Sequence, residues 1–352
     1  MISLQKIDDV LNTLPGLKIG LIGDLFLDRY LELAPGVHEL SIETGLEAYQ
    51  ISRVRNAPGA LGTVMNNLAA LGVGQLIPVT VLGADGHGYD LIQELKKLPV
   101  DLSYIVTDTE RLTPTYTKPL RWQESGVWQE LNRLDVRSRD PLTVTSTQKL
   151  IDNIHRVFNS AHGIIVLDQI NEPNWGVVND VVREAIQELL AEQPTKLVFI
   201  DSRQHLGKFA YGVLKGNRSE IFTAAGLKQD GDDILSRALT KLSRATSRPA
   251  FCTVGERGTY VASSHLPAQL VPGFPVAGPV DIVGAGDAAT SGIVTALLSG
   301  ASVQEAAMMG NLVASITVQQ LGTTGTASPA QVRQRWDELN SQATERSGSE
   351  GQ

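Results

Sequence analysis

The chain reads as an α/β protein: a mainly parallel sheet with helices on both faces and a small extra β-sheet. Two observations predict this. Short, β-branched apolar runs recur at residues 18–23, 76–82, 163–167, 196–200 and 251–254, and helical patterns at 63–71, 89–97, 147–158 and 177–191 separate them. Two other segments, 46–55 and 113–136, break that rhythm with strand-like spacing.

In chain order, Ile2, Leu4, Ile7, Val10, Leu11 and Leu14 fall at helical intervals, and Pro15-Gly16 ends that helix. Residues 18–23 form a buried first strand. Within 46–55, Leu46, Ala48, Ile51 and Val54 are spaced for a strand. Within 113–136, Tyr116, Leu120, Trp122, Val127, Trp128, Leu131 and Leu134 flank the hairpin signal Glu124-Ser125-Gly126. Together these form a small sheet outside the main fold, either a lid over a substrate cleft or an edge extension. Beyond Pro329 an amphipathic helix covers 330 to about 343, and the polar residues 346–352 have the composition of a disordered tail. The expected organisation is one domain, 1–330, with lid segments at about 29–57 and 112–136, then a C-terminal helix and tail, 331–352.

Composition limits the function classes. The 352 residues carry 30 − 38 = −8 formal charges, which disfavours a nucleic-acid or membrane-surface binder. The N-terminal residues Lys6, Asp8 and Asp9 argue against a signal peptide, and no apolar run approaches a bilayer span, so a cytoplasmic protein is expected. The single cysteine, Cys252, lies in an apolar strand and reads as core. The six histidines show no helical i,i+4 pair, which disfavours a zinc hydrolase, and no Walker-type loop is present.

The most informative run is Asp281-Ile282-Val283-Gly284-Ala285-Gly286-Asp287, followed by a helical stretch. Three small residues let backbone N–H groups converge on an anion at a helix N-terminus. Asp287 in the first turn then stands where a carboxylate can deprotonate a hydroxyl. That combination points to phosphoryl transfer. Weaker constellations accompany it. Asp24 and Asp28 follow the first strand, where carboxylates can accept from sugar hydroxyls or simply cap a turn. Gly59 and Thr63 open a helix in Pro58-Gly59-Ala60-Leu61-Gly62-Thr63. Asn217 and Glu220, three apart, either order magnesium-bound water or form a capping box. Thr253, Gly255 and Gly258 mark a strand end and tight turn, suited to a nucleotide or to a plain hairpin. Lid-like Arg53, Arg55, Lys118, Arg121 and Arg133 are candidate contacts for an anionic acceptor or ordinary edge charges.

Taken in this order, these pieces resemble the ribokinase-like, or PfkB, family of carbohydrate kinases over about residues 17–328. The carrying motifs are Gly284-Ala285-Gly286-Asp287, Asn217-x-x-Glu220, the Gly255/Gly258 turn, Gly23-Asp24 and Leu321-Gly322-Thr323. Residues 23–30, Pro114-Thr115-Tyr116-Thr117-Lys118 and Arg133-Leu134-Asp135 are similar to the heptose kinase domain of ADP-heptose synthase. The resemblance implies a doubly wound ribokinase-like fold with a lid used as a homodimer clasp. It implies ATP and Mg2+ over the C-terminal half, and a sugar or sugar phosphate between lid and sheet. Asp287 would be the base, with Gly284, Ala285 and Gly286 as the anion hole. Asn217, Glu220, Thr253, Gly255, Gly258 and Asn311 would serve nucleotide and magnesium, with Glu220 reaching the metal through water. Asp24, Asp28, Gly59, Thr63 and Lys118 would hold the sugar. Asp281 and the carbonyl of Val283 would take a monovalent cation such as K+.

The chain also departs from that pattern. Ala60 and Thr63 stand where the family has Gly and Asn, so an amide contact to sugar is replaced by a hydroxyl. Ile282 and Val283 replace a common Thr, and Ser202-Arg203 stand where heptose kinases carry Pro-Lys. A nucleoside or vitamin-alcohol kinase of the same fold, and a sugar- or nucleotide-binding sensor, therefore stand beside the sugar kinase as readings.

Overall fold

The computed structural model describes residues 2–228, 230–263, 266–322 and 324–349. Numbered in chain order, the first half contains α1 (Leu4–Thr13), β1 (Lys18–Gly23), β2 (Leu25–Leu33), β3 (Ile51–Ala60), α2 (Leu61–Leu71), β4 (Gln75–Val79), β5 (Val81–Gly83), α3 (Gly86–Leu95), β6 (Val106–Asp108), β7 (Thr115–Trp122), β8 (Trp128–Glu130), β9 (Leu134–Val136) and α4 (Val144–Ser160). The second half contains β10 (Gly163–Asp168), α5 (Asp180–Glu192), β11 (Leu197–Ser202), β12 (Val213–Asn217), α6 (Arg218–Ala225), α7 (Asp232–Thr246), β13 (Ala250–Thr253), β14 (Gly258–Ser263), β15 (Leu266–Pro272), α8 (Ala285–Leu298), α9 (Val303–Thr317) and α10 (Pro329–Ser349).

The main sheet has eight strands in the order β15-β14-β13-β12-β11-β10-β1-β4. Pairing from β13 through β4 is parallel, and β14 and β15 add an antiparallel edge. Apolar side chains fill both faces. Ile7, Leu61, Leu68, Ile293 and Leu312 belong to one buried cluster, and Leu150, Ile154, Ile186, Leu235 and Leu239 to the other. This is the doubly wound arrangement the alternating pattern predicts. Cys252 is fully buried, and burial pushes its thiol up to about 12. Among the described residues no helix is long and apolar enough to cross a membrane.

The small sheet is also present, ordered β3-β2-β7-β8 with β9 on β7. It joins the main sheet with almost no linker. Asp24 alone separates β1 from β2, where a turn is expected from the sequence, because Gly23 bends the chain at φ 147°. A Cβ on Gly23 would lie 2.0 Å from the Leu167 carbonyl oxygen, so only glycine fits. Two other expectations shift. The single apolar run 76–82 is two strands in two sheets, β4 and β5, because both are buried and hydrophobicity marks no break between them. Residues 46–50 lie outside β3; Glu47 forms an isolated bridge with Leu40, and Leu46, Ala48 and Gln50 bond to the backbone of Ser41, Glu39 and Ala34. The last helix continues to Ser349, past the end its apolar pattern implies; residues 350–352 of the expected tail lie outside the described residues, as does Thr323.

Candidate active site

Parallel strands deliver their C-terminal ends to one edge, and the predicted residues gather there. Helix α8 begins at that edge. Gly284 is its N-cap at φ 80°, and the Ala285 N–H closes a turn on the Ile282 carbonyl at 3.1 Å. The N–H groups of Gly286 and Asp287 have no carbonyl four residues back within the helix, which leaves them for an anion. A Cβ on Gly286 would come within 3.3 Å of Lys215 Nζ, so the small residue keeps the cradle open.

Asp287 occupies the first turn, enclosed by protein yet partly open to solvent. Burial raises its carboxyl from 3.8 to about 7; Lys215 opposes the rise, Asp201 adds to it, and Arg203 opposes it. A carboxylate titrating near neutrality at an anion cradle is suited to taking a proton from a hydroxyl. Thr63 reaches the same place from α2: a Cβ on Gly284 would lie 3.4 Å from its methyl group.

Below the cradle lies an ion pair that the sequence reading did not single out. Asp201 and Lys215 are register partners on β11 and β12, and Lys215 Nζ donates to Asp201 Oδ2 at 2.6 Å. Their side chains are only 7% and 6% exposed. Burial lowers the Lys215 ammonium, but Asp201, with Asp287 and Glu220, more than offsets this and its pKa is raised. The available signal was a lone lysine inside an apolar strand and a lone aspartate at the end of another.

On the nucleotide side, Asn217 and Glu220 form the capping box. Asn217 Oδ1 accepts from the Glu220 N–H at 3.0 Å, and Glu220 Oε2 accepts from the Asn217 N–H at 2.7 Å. Burial and then Asp201 raise the Glu220 carboxyl, against the Asn217 N–H, Lys215 and Arg203. Thr253 is the register neighbour of Asn217, and Gly255 and Gly258 shape the turn beyond it. Asn311 differs from expectation. Both its N–H groups are spent on the Val271 and Pro272 carbonyls at 3.1 and 3.0 Å, and its oxygen accepts from Thr259 at 2.7 Å. It ties α9 to the antiparallel edge, leaving no donor for a nucleotide.

The sugar side is divided. Asp28, Gly59 and Lys118 come together on the small sheet: Lys118 Nζ is 3.1 Å from Asp28 Oδ1, and a Cβ on Gly59 would lie 2.5 Å from Asp28 Oδ2. Asp24 is turned into the protein instead. It is 2% exposed and accepts the N–H groups of Val177, Gln169 and Ile170 at 2.7, 2.9 and 3.2 Å. Burial, then Asp168, raises it to about 6 against those three donors. This corrects the reading of Asp24 as an open sugar acceptor; it anchors the loop 169–177 beneath the site. Of the five lid cations, Arg55 pairs with Glu32, Lys118 with Asp28, Arg121 with Glu47 and Arg133 with Asp135. An anionic acceptor would compete with those carboxylates for the four, whereas Arg53 has no carboxylate partner among the described residues.

Asp281 braces the approach to α8, accepting from the Val283 N–H at 3.0 Å and the Gly322 N–H at 3.1 Å.

A glycine-capped helix start with a carboxylate in its first turn, in a doubly wound sheet that carries a second small sheet, is an arrangement suited to phosphoryl transfer. A model of the pfkB family of carbohydrate kinases matches residues 37–331, and the chain belongs to that family. The bifunctional protein HldE of Geotalea uraniireducens is 30% identical over 319 residues, 88% of this chain, which spans 61% of that relative's length. Arabidopsis thaliana ribokinase complexed with ribose and ATP superposes with a TM-score of 0.64 at 18% identity, covering 91% of this chain and 98% of that one. Escherichia coli phosphofructokinase-2 in complex with potassium gives 0.68 at 17% identity, covering 92% and 99%. At these identities the structural likeness establishes the fold.

Proposed function

We propose that the protein transfers the γ-phosphoryl group of ATP to a hydroxyl of a sugar or sugar phosphate, with Asp287 as the base. The carrying observation is a carboxyl held near pH 7 in the first turn of a helix whose N-cap and cradle are Gly284, Ala285 and Gly286. Asp287 takes the hydroxyl proton as the acceptor oxygen forms its bond to phosphorus and the bridging bond to ADP breaks. The cradle N–H groups stabilise charge on the transferred group, as positioning and electrostatics dominate this chemistry. Thr253, Gly255 and Gly258 face the nucleotide. Asp28, Gly59, Thr63 and Lys118 hold the sugar, with Asp24 supporting the loop beneath.

Glu220 and Asn217 would hold magnesium-bound water; their shared cap leaves one Glu220 oxygen outside it, which fits an indirect ligand. Magnesium, when bound, neutralises phosphate charge. A monovalent cation would bind at Asp281 and the Val283 carbonyl; the phosphofructokinase-2 neighbour is described in complex with potassium. A homodimer through the small sheet is supported by its exposed Val54, Trp122, Trp128 and Leu134.

The deciding experiment is ADP release with a panel of sugars, sugar phosphates and nucleosides, comparing wild type with Asp287→Asn. Stimulation by a sugar or sugar phosphate, lost in the variant, supports the proposal. Stimulation by nucleosides alone moves the acceptor class, and binding without turnover makes the protein a sensor.

A further inference from the structure

We infer that the acceptor is an uncharged sugar rather than a sugar phosphate, because the cations around the sugar side are neutralised by carboxylates of the same surface. The inference rests on the kinase reading above and narrows it to one acceptor class.

The sugar-side residues share one face of the small sheet. Residues paired in register point the same way, and Phe26 with Gly59, Asp28 with Tyr116 and Tyr30 with Lys118 are such pairs. The cations of that face are balanced one after another. Lys118 Nζ lies 3.1 Å from Asp28 Oδ1, and both side chains are largely buried. Arg55 Nε donates to Glu32 Oε1 at 2.6 Å, and both cations also lie 4.9 Å from the centre of the Tyr30 ring. Arg133 holds Asp135 through two bonds of 2.6 and 2.9 Å while it covers the Tyr116 ring. Arg137 shares Asp135 at 3.4 Å and stands 3.9 Å from Glu172. Arg53 has no ion pair among the described residues, but it is exposed and its register partner is Glu32.

The loop 169–177 adds no cation. Its one charged residue is Glu172, and it carries the amides of Gln169, Asn171 and Asn174. Asn174 is spent on Asp180, whereas the Gln169 and Asn171 amides have no hydrogen-bond partner among the described residues. Arg111 and Arg183, buried under the loop, donate to the Trp175 and Val178 carbonyls at 2.7 and 3.0 Å. Arg203 has no ion pair among the described residues, but it bears on Asp287 and Glu220, which belong to the phosphoryl-transfer side. A phosphate dianion gives up its hydration only where cations replace it. Here it would draw a cation from a carboxylate and leave that carboxylate unpaired, which is costly for a half-buried pair. A sugar hydroxyl makes no such demand: it donates to a carboxylate and accepts from an amide. Gly59 leaves Asp28 Oδ2 clear for this, since a Cβ there would lie 2.5 Å from that oxygen.

Matched pairs test it. A pentose, a hexose and a heptose, each free and as its terminal monophosphate, are compared by ADP release and by calorimetric binding. The free sugar exceeds its monophosphate in kcat/KM by about 10-fold or more. Its KM shifts by less than about 2-fold between low and high salt at constant K+, because an uncharged ligand is not screened. Asp135→Asn releases Arg133 and Arg137 together from a partly exposed carboxylate, so the variant remains folded by circular dichroism. It leaves the free sugar within about 2-fold and narrows the preference by about 5–10-fold through better use of the monophosphate. A wild type that uses the monophosphate as well as or better than the free sugar overturns the inference, and so does a preference unmoved in the folded Asp135→Asn protein. If neither form of any sugar releases ADP, the kinase reading falls instead. Calorimetry then judges the charge argument by itself: tighter binding of the free sugar supports it, and equal or weaker binding overturns it.

Discussion

Replacing Asp287 by asparagine keeps the shape of the first turn of α8 and removes its ability to take a proton. Loss of a positioned base costs ~10²–10⁴-fold in rate. The structure adds a pH signature. With the carboxyl at about 7, roughly half is ionised at neutral pH and roughly a tenth one unit lower. The groups facing it are Lys215 from β12 and Asp201 and Arg203 from β11 and the turn after it. The acceptor-dependent kcat/KM of wild type therefore falls about 10-fold per unit below pH 7, and any residual rate of the variant lacks that limb. A coupled ADP-release assay from pH 5.5 to 8.5 at constant ionic strength reads both. Stability gives an independent check. The folded value lies above the ordinary 3.8, so the folded protein holds an extra proton between 3.8 and about 7. Stability from this group is present below that window and lost as pH rises through it. Asp287→Asn escapes the loss, so its thermal midpoint exceeds that of wild type at pH 8 and the gap closes toward pH 4. A variant that keeps the stimulated rate, or a wild-type profile flat from pH 5.5 to 8, refutes Asp287 as a base of raised pKa.

The other predictions rest on separate elements. Ala60, at φ 52° and ψ −114° between β3 and α2, occupies backbone space that favours glycine, so Ala60→Gly raises the urea-unfolding free energy by ~1 kcal/mol; a decrease refutes the strain. Lys118→Met removes the partner of Asp28 and Tyr30, raising the acceptor KM by ~10-fold with little change in that for ATP; equal changes would place Lys118 outside the sugar site. Replacing K+ with tetramethylammonium lowers the rate of wild type and leaves Asp281→Asn unaffected; an equal effect on both removes Asp281 from a cation site. Trp128→Glu shifts the sedimentation profile from dimer to monomer, because it sets a charge beside Trp122 on the exposed face of the small sheet; a monomeric wild type sinks the clasp.

What the sequence made legible was local. The apolar run of β1, the Gly255/Gly258 turn and the helix start at Gly284 each depend on neighbours a few residues away, and each lies where those neighbours put it. The Asn217–Glu220 spacing was legible as a capping box for the same reason, and the structure forms one. What stayed hidden depends on register. Asp24 reads as a free carboxylate until the loop 169–177, some 145 residues away, wraps its N–H groups around it. Asn311 reads as a pocket amide until the edge strands claim both its donors. Asp201 and Lys215 look like single charges, one near a strand end and one inside a strand, and only the pairing of β11 with β12 turns them into one buried unit. That difference bears on the chemistry. Local patterning placed Asp287 and the glycine-rich helix start, but the potential they sit in is set by partners brought in through the sheet. Asp287 near neutrality is a product of both: burial at the helix start raises it, and Lys215, itself steadied by Asp201, restrains the rise. A substitution at Asp201 or Lys215 therefore reaches the Asp287 carboxyl without touching its helix, which the motif alone would never suggest.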